Sequence, residues 1–115
     1  MAIVKSFLVQ WSDIALADVD HLIAYVARRN PQRAHELWRR IKSRADALER
    51  FPYRSRLVPE LKALGLDDYR EIVIFSYRVM LIVKANKVMI LGLFDGRRNM
   101  DDILVERALA LENPS

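Results

Sequence analysis

Arginine carries most of the chemistry available to this chain: of its nineteen basic side chains, fourteen are Arg and five are Lys. The guanidinium is a permanently charged planar fork, suited to gripping a carboxylate or phosphate through two parallel N–H bonds. Ten basic residues crowd into residues 28–56, among them Arg28, Arg29, Arg33, Arg40, Arg54 and Arg56, against only Glu36, Asp46 and Glu49. That stretch has a net charge of +7 within a chain of +4. Such an imbalance suits an anionic partner, either nucleic acid or an acidic protein segment, and it equally suits a solvated basic helix face. A second basic group, Asp95-Gly96-Arg97-Arg98, ends the most apolar stretch of the sequence. Glycine there lets the chain leave a strand by a turn that a side chain would obstruct. Arg97 and Arg98 are then held at the end of a rigid element, set either to grip an acidic or phosphate partner or to pair with Asp95 or Asp101.

Other chemistries find little support. His21 and His35 stand alone on different segments, fourteen residues apart, which is not metal-ligand spacing, so no metal is expected. There is no cysteine for a disulfide or a thiolate site. The three glycines, Gly65, Gly92 and Gly96, form no nucleotide-binding loop, so no cofactor is expected either. Trp11 and Trp38 read as packing residues rather than stacking platforms. With 115 residues, 52% of them apolar and 30% charged, residues 1–115 make one folded domain. No apolar run of about 18 residues and no secretory leader is present, which predicts a soluble cytoplasmic protein with no membrane partner.

The elements that must position these groups follow from periodicity and punctuation. Residues 2–10, AIVKSFLVQ, read as a strand with apolar residues on both faces. Ser12 or Asp13 can cap a helix whose stripe is Leu16, Val19, Ile23 and Val26, ending at Arg29-Asn30 because Pro31 disfavours helical geometry before it. Asn30-Pro31 also opens the next helix, with the stripe Ala34, Leu37, Trp38, Ile41, Ala45 and Leu48. So short a link makes the two an antiparallel hairpin. Residues 52–67 read as a loop with a helical turn at Pro59 to Leu64. Strands follow at 69–75, 77–84 and 88–94, and their tight links force antiparallel pairing. A last helix carries Met100, Ile103, Leu104, Ala108 and Leu111. The prediction is an α+β domain: strand, αα-hairpin, three antiparallel strands and C-terminal helix, with helices covering one face of a mainly antiparallel four-stranded sheet. The third run of this sheet should be central or nearly so, since it is continuously apolar.

This order resembles the RelE/ParE superfamily of toxins from type II toxin-antitoxin modules. The resemblance rests on NPQRAHELWRRI, LERFPYRSR, PEL, DDYREIVIFSYRVMLIV and VMILGLFDGRRN, which together span residues 3 to about 109. It implies a growth-inhibiting toxin neutralised by a cognate antitoxin with an acidic, amphipathic C-terminal segment. Within the superfamily, RelE-like members cut messenger RNA on the ribosome, whereas ParE-like members inhibit DNA gyrase. Metal-free RNA cleavage needs a base for the 2′-hydroxyl, an acid for the leaving oxygen and cations for the charge on phosphorus. Glu60, Arg70 and Arg78 sit where nuclease-type relatives place a Glu and arginines. A nuclease assembled here would use Glu60 as base, with Arg54, Arg56, Arg78 and Arg97 as phosphate binders. The C-terminal part departs from that pattern, with no His and no Tyr beyond Tyr77.

The resemblance is therefore closest to ParE-like toxins, which implies a non-catalytic gyrase inhibitor that contacts DNA only through its antitoxin. The alternatives are a ribosome-dependent mRNA endonuclease and a decayed toxin that only binds antitoxin. Arg54, Arg56, Arg97 and Arg98 are the expected target-binding residues, and Trp38, Leu57, Val58, Leu61 and Leu64 the expected antitoxin contacts. The structural reading of Glu60, Arg70 and Arg78 is that they form salt bridges fixing the loop to the sheet edge.

Overall fold

Ser12 closes the first strand and opens the first helix: its N–H donates to the Ile90 carbonyl at 2.9 Å, and its Oγ accepts from the Ala15 N–H at 3.1 Å. A computed structural model of the chain describes residues 6–96, 104 and 106–108. Strand β1 (Leu8–Trp11) leads into α1 (Asp13–Arg29), and a single residue, Asn30, separates this helix from α2 (Pro31–Asp46). Asn30 serves both helices. Its N–H donates to the Val26 carbonyl, and its Oδ1 accepts from the Arg33 N–H at 3.1 Å, with Pro31 at the first helical position. Two short 3₁₀ turns, Ala47–Glu49 and Pro52–Arg54, connect to strand β2 (Arg56–Leu57) and the one-turn helix α3 (Pro59–Lys62). Strands β3 (Tyr69–Ile74), β4 (Tyr77–Lys84) and β5 (Lys87–Asp95) follow as hairpins.

The sheet has five strands in the order β1-β5-β4-β3-β2. Only β1 runs parallel to its neighbour, with Val9 beside Val88 and Trp11 beside Ile90. The fifth strand, β2, arises inside the segment read as loop: Arg56 pairs with Glu71, and Leu57 with Arg70. Two residues give no periodicity to detect. As expected, β5 is near-central, lying between β1 and β4.

Helical elements cover both faces of the sheet rather than one. The α1–α2 hairpin packs Ala15, Val19, Leu37, Ile41, Ala45 and Leu48 on Ile72, Ile74, Val79, Leu81, Val88, Ile90 and Leu93. On the other face, Val58 and Leu61 join Tyr69, Met80, Leu91 and Phe94 beneath Leu104 and Ala108, which are helical and fully buried. A β-bulge makes β5 serve both layers. Leu81 faces Ile90 and Met80 faces Gly92, so Leu91 is the extra residue, and the alternation of β5 shifts by one beyond it. Residues 2–5 of the expected first strand, and Met100, Ile103 and Leu111 of the expected last helix, lie outside the described residues. In α1 the buried stripe is shifted: Ala15 is fully buried, whereas Leu16 is 48% exposed. Ala15, Val19, Leu22 and Val26 recur at steps of four, three and four, which keeps a helical stripe on one face. Trp38 is likewise 40% exposed and lies outside the core stripe of α2.

Gly96 is required by close approach, as its place after the strand suggested. Its N–H donates to the Ser76 carbonyl at 2.7 Å. A Cβ there would sit 2.8 Å from that oxygen and 3.0 Å from Arg78 Cδ. Gly96→Ala is therefore expected to destabilise the fold by about 1–3 kcal/mol, the cost of overpacking against backbone, read as a lower Tm.

Candidate functional site: an arginine–carboxylate network at the sheet edge

Residues from four elements meet where β2, β3, β4 and α3 adjoin. Register brings Arg56 opposite Glu71 and Val73 opposite Arg78, so that Arg56, Glu71 and Arg78 project from one face of the sheet. Glu60 enters from α3, where Pro59 starts the helix at a position whose missing N–H is harmless.

Arg78 is the hub of this group. Its Nη1 and Nη2 donate to the two Glu60 oxygens at 2.5 and 2.6 Å, a bidentate pair, and its Nε donates to Glu71 Oε1 at 2.7 Å. Arg56 completes the chain, its Nε donating to Glu71 Oε2 at 2.7 Å. Glu71 is 1% exposed, and each of its oxygens accepts from a different guanidinium. Two cations thus neutralise two carboxylates, as a buried charge requires. Arg70 lies on the opposite face of β3. Its Nη1 donates to the Ser55 carbonyl at 2.6 Å, and its guanidinium lies 5.1 Å from the Tyr53 ring, tying the 3₁₀ segment to β3.

The hydrogen bonds from Arg78 hold the Glu60 carboxyl below its ordinary value, and burial only partly opposes this. Glu60 and then Glu71 push the Arg78 guanidinium upward. At neutral pH, therefore, Glu60 is a weakened base and Arg78 is no proton donor. Because the folded-state value for Glu60 lies below its ordinary 4.5, the stabilisation is fully present above that pH and is lost as pH falls through the folded value. The loss of Tm on acidification from about pH 5 to pH 3 is expected to be smaller in Glu60→Gln than in the wild type, as read by thermal melts across that range.

The structure brings Glu60, Arg78 and Arg56 together and leaves Arg54 apart. The Arg54 guanidinium stacks 3.9 Å from the Phe51 ring and lines a cleft of about 440 Å³ with Arg44 and Ser55, which the network borders through Arg56 and Glu71. Arg97 and Arg98 lie outside the described residues. Among the expected antitoxin contacts, Leu64 is 61% exposed and Leu57 is half-buried. Val58 and Leu61 are corrected: both are fully buried, because they form the core between α3 and the second face of the sheet and present no surface to a partner. The sequence reading missed Glu71, the central carboxylate. Its one legible signal is a charge on the same face of the strand as Tyr69, two residues after it. His21 and His35 are both exposed on the helical hairpin, away from this network.

Residues 9–100, from β1 to just past β5, match the family model for the ParE toxin of the type II toxin-antitoxin system parDE. The chain belongs to the ParE toxin family. It is thus a toxin of the ParE/RelE superfamily from a type II toxin-antitoxin system. Solved structures share the ParE-family fold at low identity. A chain of the chromosomal ParDE TA system from P. aeruginosa superposes with a TM-score of 0.63 at 16% identity, covering 79% of this chain and 97% of that one. A chain of the toxin-antitoxin complex RelBE2 from Mycobacterium tuberculosis superposes with a TM-score of 0.56 at 15% identity, covering 83% and 97%. No curated protein sequence matches the chain. Among the described residues of this ParE-family chain, no helix is long and apolar enough to cross a membrane.

Proposed function

We propose that this chain arrests growth by binding DNA gyrase directly, without catalysing a reaction, and that a cognate antitoxin with an acidic amphipathic segment neutralises it in the cytoplasm. The observation that supports this reading is the closed pairing, among the described residues, of the network that resembles a nuclease site. Glu60 and Glu71 are both committed to guanidiniums, and the Arg78 hydrogen bonds hold the Glu60 carboxyl below its ordinary value, which weakens it as a base. The sequence adds no His or Tyr beyond Tyr77 to act as the acid. In this reading the network braces α3 against the sheet, and Arg54, Arg56, Arg97 and Arg98 bind the target. Trp38, Leu57 and Leu64 remain as antitoxin contacts.

Glu60→Gln separates binding from catalysis. The amide keeps the shape and loses the charge, so growth arrest on induction is expected to persist in any sample that still folds. A nuclease that used Glu60 as general base would lose about 10²–10⁴ in rate. Truncated transcripts from translating ribosomes with the wild type, absent with Glu60→Gln, would count against the gyrase reading.

A further inference from the structure

The turn between β3 and β4 contains a residue that the fold does not explain. It is a two-residue connection, Phe75-Ser76, closed by the pair Ile74–Tyr77. Phe75 has φ +54 and Ser76 does not have positive φ. Positive φ at the first turn position favours glycine, and a bulky residue there is an outlier. The ring gains no core burial in return, since Phe75 is 60% exposed. A strained backbone that displays an apolar ring points to a role outside folding.

Arginines and a second exposed aromatic surround the ring. The Arg40 guanidinium of α2 lies 5.0 Å from the Phe75 ring centre. Across a cleft of about 610 Å³, Arg29 lies 5.0 Å from the ring of Tyr25, which is 51% exposed. Arg33 and Glu36 of α2 line the same cleft between them. Exposed aromatic and arginine side chains are enriched at protein–protein interfaces and their hot spots.

We infer that this face, with Phe75 as anchor and Arg29, Arg33 and Arg40 around it, docks the toxin's protein target on an acidic surface with an apolar pocket for the ring. The inference rests on the gyrase-binding reading and adds to its target contacts at Arg54 and Arg56 a second surface at the β3–β4 turn. Three arginines against Glu36 set the charge of the partner. The Glu36 carboxylate between Arg33 and Arg40 suits a protein surface of mixed charge and opposes a continuous phosphate backbone.

Because Asn and Gly tolerate the φ of residue 75 better than Phe does, the test separates function from folding. Phe75→Asn and Phe75→Gly are each expected to keep Tm within about 4 °C of the wild type or above it. The concentration needed to inhibit gyrase is expected to rise at least about tenfold, the effect of removing an anchor. Arg40→Ala should act in the same direction, and affinity for the antitoxin should not change. Undiminished inhibition by both Phe75 variants overturns the inference and leaves the gyrase reading intact. A parallel loss of antitoxin affinity also overturns it, assigning the face to the antitoxin. If the wild type does not inhibit gyrase, that reading falls, and growth arrest on induction decides. Arrest abolished by Phe75→Asn with antitoxin affinity intact supports a target-docking face, whereas arrest retained in the variant, or absent from the wild type, overturns it.

Discussion

Replacing Glu71 with Ala is expected to cost about 2–3 kcal/mol, because it leaves the buried Nε–H of Arg78 without its acceptor, although Glu60 still holds the two Nη groups. Arg78 is 8% exposed and cannot be rehydrated without opening the contact between α3 and the sheet. Arg56 is different: its side chain is 58% exposed and turns to water. The penalty therefore falls on Arg78. For a domain of this size it corresponds to a loss in Tm of at least about 8 °C, measured by thermal melting. Removing both charges with side chains of similar volume, as in Glu71→Met with Arg78→Met, should recover much of that loss. Glu60 is left without its partner but is partly exposed and able to hydrate. A double variant as unstable as Glu71→Ala would show that packing, rather than an orphaned guanidinium N–H, dominates the cost.

Ile41→Ala is expected to destabilise the protein by about 2–5 kcal/mol. Ile41 is fully buried on α2 and belongs to the cluster that joins the helical hairpin to β3, β4 and β5. Its truncation leaves a cavity between two rigid layers that close only in part. Urea unfolding should show a lower midpoint at unchanged slope, the signature of lost stability without a change in the surface exposed on unfolding. The variant should still inhibit growth at temperatures where it remains folded, since Ile41 touches no exposed surface. A cost below about 1 kcal/mol would mean that α2 packs on the sheet more loosely than the buried stripe indicates.

The helical hairpin was legible almost residue by residue, because its boundaries are set by local chemistry. Ser12 caps one helix, and Asn30-Pro31 ends that helix and starts the next, each through hydrogen bonds formed within a few residues. The strand hairpins were legible for the same reason. What the sequence hid was long-range. Strand β2 is two residues long and exists only because Glu71 and Arg70 offer it an edge. The second layer escaped notice because Val58 and Leu61 sit in a segment rich in proline, where apolar residues looked like an exposed contact surface instead of a core. The shift from Leu16 to Ala15 reflects the closeness of α1 to the sheet, where a small residue fits and a large one faces water.

The site was legible in outline and not in its centre. Glu60, Arg70 and Arg78 were read as salt-bridging residues that hold the loop to the sheet, and Glu60 and Arg78 do pair in this way, while Arg70 binds backbone carbonyls instead. Glu71 was invisible because a carboxylate inside a strand shows its purpose only when Arg56 and Arg78 arrive from neighbouring strands. Phe75 was passed over because sequence alone did not reveal its backbone angle, and that angle sets it apart from an ordinary strand aromatic.

The central claim is that this toxin works by binding gyrase. The most direct test is supercoiling of relaxed plasmid by gyrase, titrated with the purified folded chain and repeated with a candidate antitoxin. Dose-dependent inhibition that the antitoxin reverses, and that Glu60→Gln retains, is the expected result. Full supercoiling at all concentrations of a well-folded sample would contradict it.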